Sequence, residues 1–198
     1  LLNKLAWNND RLKVYLSHGA IMAGKPAAVS PNASMKMSPE AKAKMRATEK
    51  AIYKYYNDMG KSKGHCTWGA GILAHKGVCT EEELGKKVSA EMVDQEFERR
   101  VADAERTVRR NIKVPLNQAQ FDALCSLTYN AGPTGASGTY NYVNANDFDG
   151  AAANISKMIK VEVKEKGKKK YVIAPGLIKR RAEESAPFRV KKDEAVSQ

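Results

Sequence analysis

The sequence has no apolar run near the roughly 18 residues that a membrane-spanning helix needs, and no apolar signal core. A soluble chain without a transmembrane segment is the expectation. It opens on Leu1 rather than Met, which reads as a processed form or a piece of a longer protein, with any targeting signal lost alongside the missing part. Cysteine is scarce: Cys66, Cys79 and Cys125 permit at most one internal disulfide. Cys125 falls among Phe121, Leu124 and Thr128 in a helical pattern and reads as a small buried hydrophobe. Cys66 and Cys79 flank a hairpin-like segment, so a bridge is geometrically reasonable, whereas a reducing compartment would leave both thiols free. No CxxC or HxxxH pair exists. His65, Cys66, His75 and Cys79 come nearest to a zinc set, but adjacent ligands such as His65 and Cys66 diverge on a strand, so no metal is expected. Internal repeats are absent too.

Acidic residues are in deficit, 22 against 34 Lys and Arg, for a net charge of +12. That balance favours an anionic partner: nucleic acid, anionic lipid or a cell-wall polymer. The basic residues are spread along the chain, with local clusters at Arg106–Arg110, Lys164–Lys170 and Lys179–Arg181. There is neither a recognisable nucleic-acid module nor a basic ribbon studded with aromatics. Charge alone does not choose among the partners.

What is present suffices for one well-packed domain, with room for two lobes: 198 residues, 42% of them hydrophobic. Residues 1–37 read as a short helical piece anchored by Leu5, Leu12 and Leu16, followed by a connector with two prolines. The main domain spans 38–190, with a flexible tail at 191–198. It begins with Ser38 as N-cap, Pro39 at the first helical position and Glu40 in the first turn. That helix is expected to carry Glu49 and to fray near Asn57–Gly60. Glycines at 64, 69, 71 and 77 mark a sharply turned β-region.

Helices resume at Thr80 and again at Ser89, where Val93, Phe97, Val101, Ala104, Val108 and Ile112 form one stripe ended by Pro115. Asn117 caps the next, which stops at Gly132 before a Gly/Thr/Ser loop over 133–139. A helix over 147–159, an exposed hairpin around Val161–Ile173 and a basic closing helix, GLIKRRAEESAPF, complete the chain. The fold class is α+β, mostly helical, with a small β-lobe near residues 60–80.

Glu49 is the residue that most needs explaining. Ala41, Met45, Glu49, Ile52 and Tyr56 share one helical face if the helix continues, which places a carboxylate on an apolar stripe. Such a group is either paired with a base such as arginine or used for proton transfer. Asp58 follows on a solvated turn, and Thr67 opens the β-region. One carboxyl in apolar surroundings and one in water are what glycoside hydrolysis requires.

The run Glu49-KAIYKYYN-Asp58 followed by TWGAG resembles the phage-type lysozymes, the endolysins of glycoside hydrolase family 24. Tyr56 matches that family's tyrosine two before the aspartate. QFDALCSLTYNAG, residues 120–132, resembles the core helix ending Asn-x-Gly. GLIKRRAEE, residues 176–184, resembles the closing segment. The four motifs stand in the family's order over residues 39–188.

The resemblance implies a two-lobed lysozyme-like fold and a muramidase that cuts the β-1,4 bond between N-acetylmuramic acid and N-acetylglucosamine in peptidoglycan glycan strands. It implies Glu49 as general acid, Asp58 as charge stabiliser or water activator, and Thr67 as the residue that orients the water. Arg180 matches the arginine contacting the catalytic glutamate. It further implies inversion, no cofactor, a monomer, and work in the periplasm. The turn before Thr67 is longer than the family's shortest form, and Ile72 stands where a histidine often follows the second glycine. Retention of Asp58 argues against a lytic transglycosylase, which works with a lone glutamate.

The same chemistry would serve a phage endolysin or the lysozyme domain of an injected antibacterial effector, the latter predicting a periplasmic immunity protein. From a different class, a catalytically dead basic module binding cell wall or nucleic acid would have lost Glu49 or Asp58. Both are present.

Overall fold

The computed structural model describes residues 29–49, 51–165 and 168–189. The expected helical piece around Leu5, Leu12 and Leu16 and the tail at 191–198 lie outside them. Helix α1 (Pro39–Thr48) starts as its sequence requires, with the Ser38 side chain accepting from Ala41 N. Three antiparallel strands follow in the order β1 (Ile52–Asn57), β2 (Cys66–Gly69), β3 (Ile72–His75). A short helix α2 (Glu81–Gly85) opens on a complete capping box, Thr80 with Glu83.

Two long helices carry the core. In α3 (Ala90–Asn111) the stripe Val93, Phe97, Val101, Ala104 and Val108 is buried, and Ile112 caps it, also buried. Helix α4 (Gln118–Asn144), capped by Asn117, packs Phe121, Leu124, Leu127 and Thr128 against that stripe. Cys125 is buried and free, and burial pushes its thiol well above the usual range. Helix α5 (Phe148–Lys157), the hairpin β4 (Lys160–Glu165) with β5 (Lys168–Ile173), and α6 (Pro175–Ser185) with a 3-10 turn (Ala186–Phe188) close the chain.

Three expectations are corrected. Helix α1 ends at Thr48, and Glu49 is its C-cap in extended conformation, φ −81° and ψ 104°. Ile52 and Tyr56 therefore stand on a strand, not on the helical face of Ala41 and Met45. The run IYKYYN is β-branched and aromatic, and pairing with β2 takes it out of the helix. Second, residues 133–139 are not a loop. Gly132 breaks the helix at φ 72°, then Pro133 starts it again, and Ala136, Thr139, Tyr140 and Val143 give the new segment a buried face. Third, the described end of the expected connector is fastened to the domain. Asn32 exchanges hydrogen bonds with Val114 O and Leu116 N, Met37 N donates to Glu105, and Ser38 donates twice to Asp122.

Candidate active site

Glu49 sits where α1 gives way to β1, and its side chain is 19% exposed. Arg180, from the middle of α6, donates from Nη1 to Glu49 Oε1 at 3.2 Å. The same guanidinium donates from Nε to Glu184 Oε1 at 3.1 Å and from Nη2 to the Ser126 carbonyl at 3.4 Å. Residues remote in sequence thus meet at the end of α1.

Tyr129 of α4 shares this environment. Its ring lies 5.7 Å from that of Phe97, with the Arg100 guanidinium 4.9 Å from its centroid. Burial pushes the Tyr129 phenol up and the charge of Glu49 adds to that, while Arg100, Arg180 and Arg46 pull it back in part.

Asp58 follows β1 directly and is exposed. Its backbone N–H donates to His65 O at 3.1 Å, and His65 N–H returns a bond to Asp58 Oδ1 at 2.8 Å. This reciprocal pair closes the excursion 59–64 and continues the pairing of Tyr56 with Thr67 and Asn57 with Cys66; the register shift of this hairpin lies farther along, between Ile52 and Tyr56. Gly64 makes the closure sterically feasible: at φ 85°, a Cβ there would lie 2.0 Å from Asp58 Oδ1.

Thr67 on β2 is buried and faces Tyr56 across the ladder. Side chains alternate along a strand, so Tyr56, Asp58, His65 and Thr67 share one face of this hairpin. The Thr67 hydroxyl donates to His65 O at 3.1 Å, which leaves its lone pairs to accept. Burial pushes the Tyr56 phenol up; a hydrogen bond with the Gly71 backbone opposes this, and the Asp58 charge adds to it.

Cys66 and Cys79 form a disulfide with Cα atoms 4.5 Å apart. It joins β2 to the segment entering α2, and Cys79 N–H donates to Asn57 Oδ1 at 2.7 Å, beside Asp58. Cys66, His75 and Glu83 place donor atoms within 4.8 Å of one another. The Cys66 sulfur is committed to the bridge and His75 Nε2 to Glu83 at 2.9 Å, so this trio does not make a zinc set in the bridged form.

The structure therefore brings the expected residues together in two groups. Glu49 and Arg180 pair on the helical side, while Asp58, Thr67 and Tyr56 stand on the hairpin, with β1 running between the groups. Reading the residues in order did not reveal Tyr129, Ser126 or Gly64 as site residues. Tyr129 and Ser126 lie inside a motif that reads as core helix, and Gly64 is one glycine among several.

The sequence signature of the phage lysozyme family matches residues 46–184. An endolysin of Acyrthosiphon pisum secondary endosymbiont phage 1 is 32% identical over 148 residues, covering 73% of this chain and 98% of the relative. Among solved structures, the endolysin from Escherichia coli O157:H7 phage FAHEc1 superposes with a TM-score of 0.62 at 30% identity, covering 83% of this chain and 98% of that one. The muramidase domain of SpmX from Asticaccaulis excentricus has the same fold, with a TM-score of 0.60 at 24% identity over 79% of this chain and 99% of that one.

Proposed function

The chain belongs to the phage lysozyme family, and from that premise we propose that Glu49, Asp58 and Thr67 perform its hydrolysis of peptidoglycan. The enzyme is a muramidase. Glu49 protonates the glycosidic oxygen as the β-1,4 bond between N-acetylmuramic acid and N-acetylglucosamine breaks. Positive charge then develops on the ring carbon and its oxygen, and Asp58 faces it as a carboxylate. Asp58 Oδ1 is held by His65 N–H, which leaves Oδ2 for a water. The Thr67 hydroxyl accepts a second hydrogen of that water, so its lone pair points at the sugar carbon. As the water oxygen bonds to the ring carbon, one of its protons passes to Asp58 Oδ2, which gives a hydrolysed product with a reducing end.

The observation that carries this reading is the Glu49–Arg180 pair, formed where the helical part meets the hairpin that bears Asp58 and Thr67. The working form is a monomer on glycan strands in the periplasm, a compartment that supports the Cys66–Cys79 bridge. Among the described residues no helix is long and apolar enough to cross a membrane. Delivered by a rival cell, the chain would meet an immunity protein that covers Glu49 and Asp58.

Clearing of purified peptidoglycan, with mass spectrometry of the products, tests the assignment. Glu49→Gln should lose about 10²–10⁴-fold in rate, and Asp58→Asn should also fall strongly. Unchanged clearing by Glu49→Gln would remove Glu49 as the acid. A 1,6-anhydro product would replace hydrolysis with transglycosylation.

A further inference from the structure

Arg180 stands between two carboxylates, Glu49 and Glu184. Glu184 is 4% exposed and has every oxygen engaged. Its Oε1 accepts from Arg180 Nε at 3.1 Å and from Ser126 Oγ at 2.6 Å, and its Oε2 accepts from Arg181. Arg180 also borders a cavity of about 450 Å³ between α1, α4 and α6, lined by Met37, Met45, Ala123 and Leu177 among others. Packing alone therefore does not hold the guanidinium on the Glu49 side; its hydrogen bonds to Glu184 and Ser126 do.

The surrounding charges come from every neighbouring element. Glu49 is bonded to Arg180 and interacts with Tyr129 of α4, whose phenol also feels the charges of Arg46 of α1 and Arg100 of α3. Glu184 is bonded by Arg181 and by Ser126 of α4, and Asp122, Lys44, Lys179 and Glu183 line the same cavity.

An arginine given wholly to Glu49 would favour the carboxylate, a form that cannot protonate a leaving group. One shared with a second carboxylate orients Glu49 while its charge is partly offset. Resting on the reading of Glu49 as general acid, we propose that Glu184, together with Ser126, is a positioning residue that holds Arg180 in place and leaves Glu49 able to carry the proton it delivers. Neither touches substrate. Both act through Arg180.

The test is steady-state kinetics on purified peptidoglycan over roughly pH 4–9, with thermal melts, for wild type, Glu184→Gln, Ser126→Ala and Glu49→Gln. For Glu184→Gln, kcat should fall about tenfold with KM within about twofold, and the alkaline limb of the kcat profile should move about one unit lower. Ser126→Ala should shift both in the same direction by less. A lowered melting temperature with the limb at its wild-type pH would mean a purely structural role and overturn the proposal. Where Glu184→Gln does not fold, Ser126→Ala decides, since it removes one bond and strands no charge on Arg180. A wild-type profile for that variant would overturn the proposal. Activity retained by Glu49→Gln would instead overturn the general-acid reading beneath it, a separate result on the same plate.

Discussion

Gly64 shows how a residue without a functional group constrains one that has it. A methyl group at this position meets Asp58 Oδ1 at 2.0 Å, and the backbone holds φ at 85°. Gly60, in the same turn, has φ 94° and open space around its missing Cβ. Alanine at either site carries the same backbone penalty, about 1–2 kcal/mol. Only Gly64→Ala must also displace the Asp58 carboxylate from His65 N–H. Clearing by Gly64→Ala is expected to fall about tenfold or more, against a near wild-type rate for Gly60→Ala at equal loss in denaturant melts. Equal activity losses would separate Asp58 placement from catalysis. Nothing in the sequence distinguished these two glycines, because the contact is with a side chain that folds back over the turn. The closeness of Asp58 to Thr67, in contrast, was legible, because a single short turn separates them.

Whole elements were legible where one period dominated. The α3 stripe repeats every three or four residues over 22 residues, and no strand pattern competes with it. The stretch from Ala41 to Tyr56 satisfied a helical count by coincidence, since Ile52, Tyr53, Tyr55 and Tyr56 serve a strand equally well. Pairing with β2 decided it, and pairing is not written locally. The segment after Gly132 failed the opposite way: small residues looked like a loop, yet Ala136, Thr139, Tyr140 and Val143 recur at helical spacing on a buried face.

At the β3–α2 junction a testable coupling appears. The Lys76 carbonyl, then Glu83, hold the His75 imidazolium above its ordinary range, while Thr80's backbone and side chain and then His75 hold Glu83 below the usual carboxylate range. A raised histidine stabilises the fold at low pH and loses that contribution as pH rises through its folded value. A lowered glutamate stabilises at higher pH and loses its contribution as pH falls through its own. The pair is therefore fully formed only between those two values. Proton-NMR titration should place His75 above 6.5, and Glu83→Gln should bring it down. An unmoved titration would detach α2 from β3.

Over the whole molecule, two neighbouring arginines are expected to divide activity from stability. Successive residues on a helix point roughly 100° apart, so Arg180 and Arg181 leave α6 in different directions. Arg180 reaches Glu49 and is 18% exposed. Arg181 is 2% exposed and joins three helices: it donates to Asn130 of α4, to Met158 O at the end of α5 at 3.2 Å, and to Glu184 of its own helix. The motif already pointed to Arg180 as the contact of Glu49, a pair the structure forms at 3.2 Å, whereas the task of Arg181 depends on how α6 is rotated, and only packing fixes that. Arg181→Met should strand buried polar partners and cost about 3–5 kcal/mol in urea unfolding. Arg180→Met leaves Glu184 with Arg181 and Ser126, and its partly exposed bond to Glu49 is worth about 1 kcal/mol or less. That variant should unfold near the wild-type midpoint yet clear peptidoglycan poorly. The reverse order of stabilities would mean that α6 is anchored through the active site rather than beside it.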